Sequence, residues 1–88
     1  MSKGDTPVKV DDATMEMRVA RGRGRLLQVS SGVRRMAVVD PAISDVVQVS
    51  PSEILVLGEG RGATHVTVWR ADERLAPVVI LVRVTEGP

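Results

Sequence analysis

Glu53-Ile54-Leu55-Val56-Leu57-Gly58-Glu59-Gly60-Arg61-Gly62-Ala63-Thr64-His65-Val66-Thr67-Val68-Trp69 is the stretch that decides the fold. After Glu53, four consecutive apolar residues place hydrophobic groups on both faces of an extended chain, as in a strand near the middle of a layered structure. Gly58 to Gly62 then interrupts the run with three glycines. From Thr64 the chain alternates. Val66 and Val68 point one way; His65, Thr67 and Trp69 point the other. This is the period-2 pattern of a half-buried strand. A glycine-rich loop cradles phosphate when it leads into a helix N-terminus and carries a Lys-Ser/Thr pair. This loop leads into a strand and lacks that pair, so it reads as a hairpin loop.

Downstream, Ala71-Asp72-Glu73-Arg74 is a polar hairpin turn. The last strand, Val78 to Val84, puts Val78, Ile80, Val82 and Val84 on one face. Upstream, Val46 to Val49 is extended and Ser50-Pro51-Ser52 stops it. Asp40-Pro41 begins one short helical turn over 41–45, since Asp accepts from free N–H groups and Pro suits a first helical position. Val33 to Val39 is a further extended run, preceded by Ser30-Ser31-Gly32. Leu26, Leu27 and Val29 form another. Met15, Met17 and Val19 alternate with Glu16 and Arg18 in the first. Between these two, Gly22 and Gly24 predict a turn with residues at positive φ. Residues 1–13 read as a flexible leader and 14–86 as a single domain.

The sum is about seven short strands and one helical turn: an all-β domain, a small β-sandwich or partly open barrel. An α+β fold follows only if 31–37 or 40–48 is helical. Composition agrees. There are 17 valines, one Trp, and no Phe or Tyr, and β-branched residues suit strands.

Eighty-eight residues hold one domain, and a chain this short buries only about 60–65% of the surface it exposes when unfolded. With no cysteine and one histidine, neither a disulfide framework nor a Cys- or His-pair metal site can be built. A nucleophile needs a base that is itself oriented by a third group. His65, the one available imidazole, lies in a Val/Thr strand, and no motif marks a partner. No catalytic residue, cofactor or metal is expected. Net charge is +1, so the chain is no polycation seeking nucleic acid. No apolar run reaches the ~20 residues of a membrane-spanning helix, and Met1 to Asp5 holds no signal-peptide core.

The order of these features resembles a known family. Val19-Ala20-Arg21-Gly22-Arg23-Gly24-Arg25 is followed by Val38-Val39-Asp40-Pro41-Ala42-Ile43-Ser44-Asp45-Val46, then Ser50-Pro51, Gly58, and Gly62-Ala63-Thr64 before the alternating strand. The succession resembles the N-terminal periplasmic domain of pilus-type secretins, as in the outer-membrane secretin of tight-adherence (Flp/Tad) pili. The resemblance spans Met17 to Val84. Its turn positions here are Gly22, Gly24, Asp40, Pro41, Ile43, Asp45, Gly58, Gly62 and Thr64. Val39 stands where the family often has Gly or Ala, and Asp72 to Leu75 lacks the usual turn glycine. The resemblance implies a periplasmic assembly module of an outer-membrane complex for pilus assembly or protein secretion. It implies a larger parent chain that supplies the membrane contact, and a signal peptide outside this sequence. The implied partners are other copies in a ring and other periplasmic or inner-membrane components of the machine, with no nucleic acid among them.

Two surfaces are the expected contact sites: the arginine-rich turn with Arg21, Arg23 and Arg25, and the His65/Thr67/Trp69 face, where an exposed indole is a good anchor. Each also has a plain structural reading, as a solvated turn and as cover over a small second core. A bacterial Ig-like structural or adhesion domain is the alternative function, since it too reads as short Val-rich strands. The Asp40 to Val46 stretch favours the secretin family.

Overall fold

The computed structural model describes residues 8–9 and 14–86. Eight strands follow in order: β1 (Val8–Lys9), β2 (Thr14–Ala20), β3 (Gly24–Gln28), β4 (Val33–Val38), β5 (Ser44–Ser50), β6 (Glu53–Gly58), β7 (Gly62–Arg70) and β8 (Val78–Thr85). They form two four-stranded sheets, ordered β1-β3-β6-β5 and β2-β8-β7-β4. The fold is all-β, a small sandwich. Neither 31–37 nor 40–48 is helical; β4 and β5 occupy those stretches. Of the stretch read as a leader, Val8–Lys9 pairs parallel with Leu27–Gln28. Residues 1–7 and 10–13 lie outside the described residues.

Alternation explains the core. Met17 and Val19 of β2, Val66 and Val68 of β7, and Val78, Ile80, Val82 and Val84 of β8 line the inner face of the second sheet. Leu27, Val29, Ile54 and Val56 meet them from the first. All are aliphatic or Met, and β-branched side chains pack well on a pleated surface. β6 sits inside its sheet between β3 and β5, with Ile54 and Val56 buried and Leu55 and Leu57 half-buried on the outer face. This matches the reading of that strand as apolar on both sides.

The connections depart from the expected hairpins in one place. Gly58 to Gly62 is not a hairpin loop, because β6 and β7 belong to different sheets. It is a crossover, and two others lie at the same end of the sandwich: residues 21–23 from β2 to β3, and 39–43 from β4 to β5. Backbone hydrogen bonds stitch the three together. Gly22 N–H donates to the Gly58 carbonyl at 2.9 Å, Gly58 N–H to the Arg23 carbonyl at 2.8 Å, and Glu59 N–H to the Ile43 carbonyl at 2.8 Å. At the far end, β5–β6 and β7–β8 are true antiparallel hairpins.

Two turns differ in detail from the sequence reading. Gly22 has φ +79°, but Gly24 does not have positive φ and already begins β3. The turn after Asp40 is shorter than 41–45. Ile43 and Ser44 N–H groups both donate to the Asp40 carbonyl, and β5 starts at Ser44. Ser44 is drawn in because its buried hydroxyl donates to the Leu57 carbonyl at 2.8 Å.

Gly58 is where the crossovers come closest. A Cβ there would lie 2.6 Å from the Ala20 carbonyl oxygen, too near for any side chain, and the obstacle is backbone. Gly22 has open space but a left-handed φ. Gly58→Ala is therefore expected to lose about 2–3 kcal/mol of stability through overpacking. Gly22→Ala is expected to lose about 1 kcal/mol through backbone strain alone. Urea denaturation of the two variants checks the order; equal losses refute it.

Candidate interaction surfaces

The two surfaces read from the sequence are separate places on the molecule. Arg21 and Arg23 lie in the β2–β3 crossover, and Arg25 follows in β3. His65, Thr67 and Trp69 lie on the outer face of the second sheet. Trp69 is seven residues along β7 from Gly62, roughly 23 Å at about 3.3 Å per residue, so it lies toward the far end from the arginines.

The arginines are not equivalent. Arg21 pairs with Glu86 at 3.4 Å. Its backbone N–H donates to the Thr85 carbonyl at 2.7 Å, tying the turn to the end of β8. Arg25 reaches from the first sheet to β2, donating Nη1 to the Arg18 carbonyl at 3.3 Å, while its Nε is buried without a hydrogen-bond partner among the described residues. Arg23 is exposed. Arg18 sits on the edge strand β2 beside Arg83 in register. Arg83 is committed to Glu16. Arg18, Arg23 and Arg25 have no ion-pair partner among the described residues.

On the other surface, Val66 and Val68 are fully buried and His65 is exposed, so the inward and outward faces of β7 are as its alternation predicts. Thr67 and Trp69 are half-buried. The register sets Arg35 of β4 opposite Trp69, and its guanidinium lies 4.1 Å from the indole centroid. A guanidinium over an indole is attracted by the negative ring face, worth roughly 0.5–1 kcal/mol at an exposed site. Half of this surface is therefore a cation–aromatic pair. Arg35 carried no signal in the sequence, because its partner is 34 residues away and the pairing depends on which strand lies beside β4.

The turn positions act on backbone. Asp40 accepts the Ala42 N–H at 3.1 Å. Its own N–H donates to buried Thr64 Oγ1 at 3.0 Å. Asp45 accepts the Val46 N–H at 2.8 Å. In the β7–β8 hairpin, Arg74 hydrogen-bonds both carboxylate oxygens of Asp72 at 3.0 Å. That side-chain contact, with the Arg74 backbone N–H, holds the Asp72 carboxyl below its ordinary range; the carboxylate in turn raises Arg74. No group of three or more His, Asp or Glu among the described residues is placed to hold a metal ion.

The family described as the pilus formation protein N-terminal region, of type II and type III secretion systems, has a model that matches residues 13–85 of this chain. The match runs from the residue before β2 to the last residue of β8. Comparison with curated proteins yields no matching relative.

A pH dependence follows from Asp72. Its folded-state pKa lies below the unfolded one, so its contribution is complete above the ordinary carboxylate pKa and is lost as pH falls through the folded value. The wild type should exceed Asp72→Asn slightly in stability near neutral pH. The two should converge in acid, as urea midpoints across a pH series would show. A gap that widens in acid contradicts this.

Proposed function

We propose, on the premise that this chain belongs to the pilus formation protein N-terminal family, that it is a non-enzymatic assembly module: the periplasmic N-terminal domain of an outer-membrane secretin. The observation that carries this reading is the family match over residues 13–85, which covers β2 to β8 of the two sheets. The match also favours the secretin family over the Ig-like alternative, which shares only the general strand pattern.

The mechanism is binding by surfaces. The domain presents the arginine crossover and the His65/Thr67/Trp69 face to neighbouring copies and to other periplasmic or inner-membrane components of a pilus or secretion machine, including one of the tight-adherence type. In a ring, each copy gives one surface to a different surface of the next, a heterologous contact that closes by rotation. A sheet edge can accept a partner's strand through free backbone groups. The β5 edge is poorly suited to this. Asp45 takes the Val46 N–H, the Gln48 amide donates to the Ser50 carbonyl at 3.1 Å, and the pairing is irregular between Gln48 and Ser50. Side chains are the means of contact on that margin.

The test is made in the cells that produce the protein. An antibody to this domain, applied to fractionated envelope, should detect a longer chain in the outer membrane, in a very large multimer that survives mild denaturation. A soluble species of this chain's own size sinks the reading. Within a confirmed multimer, Trp69→Ala and Arg23→Glu should each reduce assembly or secretion while the domain stays folded. If both variants assemble and secrete normally, these two surfaces are misassigned.

A further inference from the structure

The register lays out the outer face of the second sheet in rows across its strands. Arg35 and Trp69 form the row at the far end. Ala37, Thr67 and Val79 form the next. In the third, the Val39 N–H donates to the His65 carbonyl, and His65 stands beside Leu81. Arg83 and Arg18 form the row at the crossover end. Val39 is 75% exposed, while Thr67, Trp69, Val79 and Leu81 are half-buried. The two middle rows are thus a floor of short, mostly apolar side chains, with longer arginines at both ends.

The uncommitted charge on this face has one sign. Glu16, the one carboxylate at an outward strand position of this sheet, is taken by Arg83. Arg18 and Arg35 have no ion-pair partner among the described residues, and Arg35 lies over the indole. Asp40, Glu59 and Glu73 belong to connections beyond the strand ends. The outer face of the first sheet differs: its outward positions on β3, β5 and β6 carry Asp45 and Glu53, and neither Arg nor Lys. A sheet face has no free backbone groups to offer a strand. What covers such a face in a layered domain is a second layer, commonly helical.

We infer that this face seats an acidic, amphipathic helix of another polypeptide. An apolar stripe at i, i+3, i+4 and i+7 lies on Thr67, Val79 and Leu81, with Val39 against its flank. Carboxylates toward its two ends meet Arg35 and Arg18. From Trp69 to Ala63 along β7 is about 20 Å, at about 3.3 Å per residue. At about 1.5 Å per residue, a helix covers that length with about 13 residues, between three and four turns. The recessed floor suits a ridge of helix side chains better than a flat lipid surface. The inference rests on the reading of the His65/Thr67/Trp69 face as a contact surface and names the chemistry and shape of what it meets. It uses no sheet margin.

Site-specific photocrosslinking tests it in the cells that produce the protein. The full polypeptide carries p-benzoylphenylalanine in place of His65, which is exposed at the middle of the face. A control carries it in place of Val47, on the outer face of the first sheet. Cells are irradiated before strong denaturation, and the peptides joined to the probe are sequenced by mass spectrometry. The expected adduct at position 65 is a segment of a different polypeptide, with apolar residues at helical spacing and carboxylates about 13 residues apart. Position 47 should give several-fold less of it. Arg18→Glu should lower the adduct at position 65 several-fold, and Arg18→Lys should keep it.

An adduct at position 65 with lipid, with a second copy of this chain, or with a basic or extended segment overturns the inference. So does a yield that Arg18→Glu leaves unchanged, or the absence of any adduct in a multimer that the domain antibody detects. In each of these cases the secretin reading stands. The expected adduct on a chain that forms no multimer keeps the helix seat and overturns the secretin reading, and absence of both overturns both.

Discussion

Three chain crossings at one end of the sandwich are the constraint on which the rest of the structure depends. Backbone that passes between sheets leaves their hydrogen-bond ladders, yet its polar groups still need partners. Here the crossings serve one another. The turn after β2 bonds with Gly58, and the Ile43 carbonyl accepts from both Glu59 and Gly60. Thr64, one of two buried polar residues among those described, bonds to Asp40. This mutual satisfaction requires close contact, and the 2.6 Å between a notional Gly58 Cβ and the Ala20 oxygen measures how close. It also places the arginine crossover and the Asp40–Asp45 crossover at one height on opposite margins. The charge layout of the surface is thus a by-product of how the backbone closes.

Between these margins the core is a single layer of stiff aliphatic side chains. Each fully buried Val, Leu or Ile contributes about 1.5–3 kcal/mol relative to exposure, against a conformational entropy cost of similar total size. A domain of this length has little surplus. Valine limits that cost, because a side chain with a restricted χ1 has little rotamer freedom to lose. The parallel pairing of β2 with β8 adds to this by joining the start of the domain to its end over seven residues, so that no terminal strand depends on local contacts alone.

Much of this was legible in the residues. The seven longer strands follow from period-2 alternation in segments such as Thr64 to Trp69 and Val78 to Val84, and their breaks from Gly, Pro and Ser. Alternation shows which face of a strand is buried. It says nothing of which sheet the strand joins, and so the glycine-rich loop looks like a hairpin when it is a crossover. The order of turn residues identified the family because it depends on backbone geometry at each turn. The candidate surfaces were only half legible. His65, Thr67 and Trp69 share a face by spacing alone, whereas Arg35 joins them through pairing at long range. Val39 and Val47 are exposed because pairing sets them beside His65 and Leu55 on the outer faces of the two sheets, which a run of apolar residues does not reveal until the partner strand is known.

Trp69 is the one aromatic residue among Phe, Tyr and Trp in this chain, and it lies on the outer face beneath Arg35. The near-ultraviolet absorbance and intrinsic emission of the molecule therefore come from a single indole at the surface. In most small domains such a signal follows the melting of the interior. Here the interior has no chromophore, and the emission follows the stacking of one guanidinium and whatever displaces it. The chain carries a built-in optical probe of its own exterior, and its unfolding is better followed through the backbone.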